Sequence, residues 1–275
     1  MNSKLEKLKE LRSQINYVVN GYNNYPSNST VMIFSNHCCL MDIFYVPMVI
    51  NDDIVSIISA RLMYKNNNEE RKKFVYDYLN PIPVEAHGGR YYSDVCINNA
   101  SLVLESKMSC HIFPEGVYYP EKNVVCKGRV GGAQILFNSL SVNKNIMLVP
   151  ISLKYKEKIT DLDALKQDNN LEINILEPID FSLDYERYMN CDNYDDKKIF
   201  LHNVTDNAMR SIAKSLNQTY ESEYFPLDKK DMIFMDGTLI NSYTSSSNYV
   251  KSIYKKNLES YTKKLCLNLK KERSA

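Results

Sequence analysis

The 275-residue chain is 44% hydrophobic and 24% charged, proportions that support a sizeable core in one large domain or two small ones. Its formal net charge of +1 argues against a dedicated nucleic-acid binder, and the longest apolar run, Ile43 to Ile50, is too short to cross a bilayer and contains Pro47. Seven scattered cysteines with no C-x-x-C pair suggest neither a disulfide framework nor a zinc site.

The first seven residues, Met-Asn-Ser-Lys-Leu-Glu-Lys, lack a signal peptide's apolar stretch. The expectation is a cytoplasmic protein with free thiols, at most peripheral on a membrane. Ser3 and Glu6 form a capping-box pattern, and Leu5, Leu8, Leu11, Ile15 and Val18 or Val19 follow at helical spacing. This predicts an amphipathic helix over 3–20, its stripe packed on the core or, less commonly, docked on lipid. A polar connector, 21–30, leads to Val31–Phe34, a buried strand that delivers Asn36 and His37 at its end. Asp42 then opens a helix from Ile43 to Ile50, as favoured by the positive end of the helix dipole.

Ile54–Ser59 reads as a strand, 66–79 as a charged helix, and Pro81–Val84 as a short extended piece before Ala86-His87-Gly88-Gly89-Arg90. The spacing then predicts a helix over 93–106, a strand over 110–113, a helix over 131–140, and strands over 147–153 and 171–176. An acidic loop follows Phe181-Ser182-Leu183-Asp184, with a helix over 197–216 and a polar surface segment over 221–247. Strands alternating with helices imply an α/β fold with a mixed, largely parallel sheet flanked by helices. The expected organisation is a single domain: N-terminal helix and connector (1–30), core (31–182) and mostly helical extension (183–275).

At the end of the chain, Val250, Tyr254, Leu258, Tyr261, Leu265 and Leu269 make one apolar stripe on a helix. Residues 251–275 carry seven Lys and Arg273 against Glu259 and Glu272. Such a basic amphipathic helix either packs on the core with its lysines solvated or lies on an anionic membrane surface.

Candidate chemistry begins with His37 and Asp42. The four residues between them can turn the carboxylate back onto the imidazole, fixing its tautomer and stabilising the imidazolium, as a general base requires. The plain alternative is a His that caps a turn and an Asp that serves only as an N-cap. A second stretch, Phe113-Pro114-Glu115-Gly116, follows another apolar run, with Lys127-Gly128 just beyond it. Cys38 and Cys39 raise the question of a covalent nucleophile, but neighbours on an extended strand end rarely point at each other. His87, His111 and His202 have no partners at metal-ligand spacing.

Asn36-His37-x-x-x-x-Asp42, then Phe113-Pro114-Glu115-Gly116, then Lys127-Gly128, then Val149-Pro150-Ile151, together resemble the glycerolipid acyltransferase superfamily over residues 30–182. The glycerol-3-phosphate and lysophosphatidic acid acyltransferases belong to it. The resemblance implies an acyltransferase, with His37 as general base and Asp42 as its orienting partner. No tightly bound cofactor is implied. The co-substrate would be acyl-CoA or an acyl carrier protein, and the acceptor a lipid or other molecule bearing a hydroxyl or amine.

Glu115 would place the acceptor or tie down the turn, and Gly116 would admit close backbone approach. The family's Phe-Pro-Glu-Gly-Thr-Arg becomes Phe-Pro-Glu-Gly-Val117-Tyr118 here, so the arginine serving an acceptor phosphate is replaced by Tyr118. Arg90, helped by Lys127 and Arg129, could supply positive charge, or all three could simply be solvated. A non-phosphate acceptor is therefore a serious alternative, as is a catalytically silent lipid-binding protein on the same fold.

Overall fold

The computed structural model describes residues 15–39, 41–50, 54–59, 81–84, 90–116, 124–155 and 171–223, with positions 6, 9, 10, 12, 13, 75, 79, 232–233 and 239–240. Its centre is β2 (Thr30–Ser35), in which all six residues are buried. A continuous apolar strand of this kind is covered on both faces, as in a parallel sheet with helices on each side. Val31 and Ile33 join one core cluster, Met32 and Phe34 the other.

The neighbours of β2 are β5 (Ser109–Ile112) and β7 (Ile146–Lys154), both parallel to it. Outside β5 lie β3 (Ile54–Ser59) and β4 (Ile82–Val84), again parallel. Outside β7, β8 (Leu171–Ile175) runs antiparallel, and β1 (Tyr17–Asn20) pairs parallel with β8. The order is β1-β8-β7-β2-β5-β3-β4. This is a mixed, mostly parallel seven-stranded sheet flanked by helices. Five parallel strands therefore end together on one edge, where open α/β sheets place their ligands.

One face carries α1 (Asp42–Val49), all eight of whose residues are buried. The other carries α2 (Arg90–Glu105), α3 (Gly131–Ser139) and α5 (Tyr194–Leu216), which bring Ala100, Val103, Leu136, Val204 and Ala208 against Met32 and Phe34. Gly132, near the start of α3, serves this packing. A Cβ at Gly132 would lie 2.6 Å from the Phe34 ring, so the helix seats directly on β2.

Five regions depart from the sequence expectations. Positions 6, 9, 10 and 12 are helical, but 17–20 are strand β1. The open edge of β8 offers backbone pairing there, and Val18 and Val19 favour a pleated conformation over a helix's last turn. The expected acidic loop contains α4 (Ser182–Met189), started by Asp180 accepting from the Ser182 N–H at 2.9 Å. Tyr185 and Tyr188 stand edge-on to Phe137, at 5.2 and 5.0 Å between centroids, and that anchoring outweighs the polar composition.

The next helix begins at Tyr194 rather than 197, because Asn193 caps it by accepting from the Asp195 N–H. Sequence reading also missed the short parallel pair β6 (Val124–Cys126) and β9 (Thr219–Glu221). The antiparallel pair β10 (Met232–Ile233) and β11 (Leu239–Ile240) breaks up the expected polar segment. Most of the expected 66–79 helix and all of the C-terminal basic helix lie outside the described residues. Among the described residues, no helix is long and apolar enough to cross a membrane.

Beneath the carboxyl edge, His111 of β5 is wholly buried and shares a 2.7 Å hydrogen bond with Ser35 Oγ through Nε2. Its Nδ1 has no hydrogen-bond partner among the described residues. Burial, then the nearby His37, lowers its pKa to about 3. Between the ordinary histidine value and about 3, the unfolded chain binds a proton here and the folded chain does not. Stability is therefore complete above pH ~6.5 and drains as the pH falls through that window, by up to ~1.4 kcal/mol per pH unit. His111→Gln is expected to flatten the dependence of the urea midpoint on pH between 6.5 and 4. An unchanged slope would remove His111 as its source.

Candidate active site

Strands β2 and β7 run in register from Thr30↔Ile146 to Ser35↔Ile151. Beyond the last rung, Asn36 continues the pairing with its side chain. Its Nδ2 donates to the Leu153 carbonyl at 2.9 Å, and its Oδ1 accepts from the Leu153 N–H at 2.8 Å. The amide thus mimics a peptide group and holds the end of β2 before the chain turns away. His37 follows at that fixed end.

The chain then turns tightly, with the Asp42 N–H donating to the Cys39 carbonyl, and α1 begins. Met41 occupies the N-cap position without a side-chain cap. Asp42 is instead the first helical residue, and its carboxylate reaches back over the turn. Oδ2 accepts from the Cys38 and Cys39 N–H groups at 2.5 and 2.8 Å and lies 3.1 Å from His37 Nδ1. Oδ1 accepts from the Tyr155 hydroxyl and, at 3.4 Å, from the Cys39 thiol. Asp42 is fully buried, while 11% of the His37 side chain is exposed. Burying a carboxylate is tolerable only with such a set of donors.

From β5, Phe113 stacks on the His37 ring, 4.0 Å between centroids and 17° between planes. The edge of the His111–Phe113 pair lies behind it, at 4.6 Å and 68°. The Pro114–Gly116 turn then closes through the Gly116 N–H, which donates to the Phe113 carbonyl at 3.0 Å. That N–H is thereby committed within the turn. Gly116 has φ +76°, a conformation that favours glycine.

Glu115, also buried, accepts from the His37 N–H through Oε1 and from the Cys126 N–H through Oε2, each at 3.2 Å. One carboxylate therefore joins the ends of β2, β5 and β6 by their main chains. The Arg129 side chain lies against Gly116, with Nε 3.2 Å from where a Cβ would stand, and the main-chain N–H of Arg129 donates to the Pro114 carbonyl at 2.7 Å. Gly128 lets this segment pass close to α5: a Cβ there would meet Thr205 Cγ2 at 2.5 Å and Pro114 Cβ at 2.9 Å.

The structure thus brings together His37, Asp42, Glu115, Gly116 and Arg129. The main-chain N–H of Lys127 donates to the Glu223 carbonyl at 3.4 Å, and its charge reaches His202 of α5. Burial first, then the positive charges of Lys127 and Lys198, lower the pKa of His202 on that helix. Arg90 begins α2, but its side chain lies outside the described residues, as does the whole of Tyr118. Cys38 and Cys39 are held as thiols, because burial and then the Asp42 charge push both well above the usual range. Neither is presented as a nucleophilic thiolate.

No family model matches the chain, and no curated protein matches it. Among solved structures, it is similar to the crystal structure of the 1-acyl-sn-glycerophosphate (LPA) acyltransferase PlsC from Thermotoga maritima. The TM-score is 0.49 at 15% sequence identity, over 76% of this chain and 79% of that one.

Sequence reading assigned no role to Asn36, Phe113 or Tyr155. The first two stand inside the motifs quoted above, and adjacency to His37 and Glu115 was the available signal. Tyr155 is 113 residues from Asp42 in sequence, and nothing in its own neighbourhood points to the contact.

Proposed function

We propose that this chain is an acyltransferase that moves a fatty or related acyl group from a thioester to an acceptor hydroxyl, with His37 as general base. The donor would be acyl-CoA or an acyl carrier protein, and the acceptor glycerolipid-like. The observation that carries this reading is the pairing of His37 Nδ1 with a buried carboxylate at the carboxyl edge of a largely parallel sheet. The order of motifs along residues 30–182 supports it.

With Nδ1 turned to Asp42, Nε2 takes the proton from the acceptor O–H as its oxygen attacks the thioester carbonyl. The tetrahedral oxyanion then collapses, the C–S bond breaks, and the imidazolium returns its proton to the departing sulfur. Asp42 stabilises the imidazolium electrostatically. The face of Phe113 beneath the ring adds to this, since a cation over an aromatic face is attracted by its quadrupole. Glu115, with both oxygens engaged by main-chain N–H groups, serves to hold His37 on the β5 turn.

A second reading keeps the chemistry and changes the acceptor to a non-phosphate alcohol or amine. Tyr118, in place of the family arginine, favours it, whereas Arg129 beside Gly116 would, among the described residues, bring positive charge to an acceptor phosphate. Thiol release measured with and without candidate acceptors tests both. Release that requires lysophosphatidic acid or glycerol-3-phosphate, and is weakened in Arg129→Ala, supports the first. Release with uncharged alcohols or amines alone supports the second. No acceptor-dependent release from any acyl thioester rejects the activity.

A further inference from the structure

Asp42 presents two oxygens, and only one faces His37. The other accepts from the Tyr155 hydroxyl and more weakly from the Cys39 thiol, which itself lies 3.4 Å from the Tyr155 oxygen. Tyr155 stands just past the end of β7, two residues beyond Leu153, whose backbone Asn36 clamps on both sides. The clamp that fixes His37 therefore also fixes where Tyr155 leaves the sheet. Its ring packs toward Tyr45 of α1, 6.3 Å between centroids.

We propose that Tyr155 is a positioning residue for the His37–Asp42 pair. Its hydroxyl holds the outer carboxylate oxygen and shares the negative charge that Asp42 shows to the imidazole. Burial, then the Asp42 charge, raises the phenol well above its usual range, so the group remains an O–H donor. A carboxylate whose outer oxygen has a strong donor pulls less on the proton between His37 and Asp42. It also keeps its inner oxygen aimed at Nδ1, because two backbone N–H groups and a phenol grip opposite ends of the same group. The kinetic part of this inference rests on the proposed role of His37, whereas the effect on the ring proton does not.

The test uses the full chain, isotopically labelled, and follows the His37 Nδ1–H proton by NMR, assigned by its disappearance in His37→Ala. In Tyr155→Phe this resonance is expected to move downfield. Acyl-transfer kcat is expected to fall about ten- to a hundredfold, because the inner oxygen loses its aim at Nδ1, a misplacement that outweighs the stronger pull of the unshared charge. KM for donor and acceptor should stay near wild type. Tyr45→Phe should leave both the resonance and kcat nearly unchanged, since it keeps the ring that packs toward Tyr155 and every donor to Asp42 named above.

An unmoved resonance in Tyr155→Phe would overturn the proposal, as would the same response in Tyr45→Phe, which would make the effect one of packing. A Tyr155→Phe chain that fails to fold overturns it too, by making the hydroxyl a structural necessity. If the wild-type chain transfers no acyl group, the proposed function fails, and the resonance alone still decides the part played by Tyr155.

Discussion

A His37→Ala chain is expected to keep its fold and to lose acyl transfer by about two to four orders of magnitude, the usual contribution of a positioned general base. The fold survives because the tie from Glu115 reaches the His37 main-chain N–H, which alanine retains. The imidazole is also the outermost ring of the stack, with His111 and Phe113 beneath it. Thiol release in the presence of acceptor, read beside a thermal melt, checks the result. Turnover near wild type in a folded His37→Ala chain would end the mechanism proposed above.

The second large effect belongs to Asp42. Asp42→Asn can keep the geometry, since its carbonyl oxygen can still accept from the Cys38 and Cys39 N–H groups while its NH₂ turns toward Tyr155. What it cannot supply is charge for the imidazolium. Turnover is expected to fall by about 10²–10⁴ while donor KM changes little. Asp42→Ala should be as slow and much less stable, because two turn N–H groups lose their acceptor at about 1–3 kcal/mol each if they remain buried. Melting temperatures ranked wild type, then Asn, then Ala, with both variants slow, would separate chemistry from support. An active Asp42→Asn chain would leave the carboxylate as turn structure alone.

How much of this was legible in the sequence depended on the distance over which each feature is decided. The strand β2 and the helix α1 could be read because their apolar runs are short, continuous and bounded by polar residues, β3 from its β-branched run, and β8 because Leu171, Ile173 and Ile175 alternate with polar residues. The approach of Asp42 to His37 was readable for the same reason, since a four-residue turn determines it. The 17–20 segment misled because Ile15, Val18 and Val19 fit a helical stripe, while the edge of β8 that claims it lies some 150 residues later. Helix α4 was hidden by its acidic residues, its anchoring on Phe137 being long-range. The main-chain ties of Glu115 and the Tyr155 contact are likewise invisible to local pattern. Only the topology of the sheet brings residues 37, 115, 126 and 155 to one edge.

The clamp of Asn36 on Leu153 has a consequence for the order of events during synthesis and folding. Strand β2 has its place in the sheet only when β5 and β7, whose sequences emerge about 80 and 120 residues later, have been made. Contacts so distant in sequence are slow to form, because loop closure must precede any gain from pairing. A ribosome-bound chain ending before residue 153 holds His37 and Asp42 but not the amide clamp, and one ending before residue 155 lacks the phenol. Catalytic competence should therefore arise late and abruptly as the chain lengthens, and at no length shorter than residue 155.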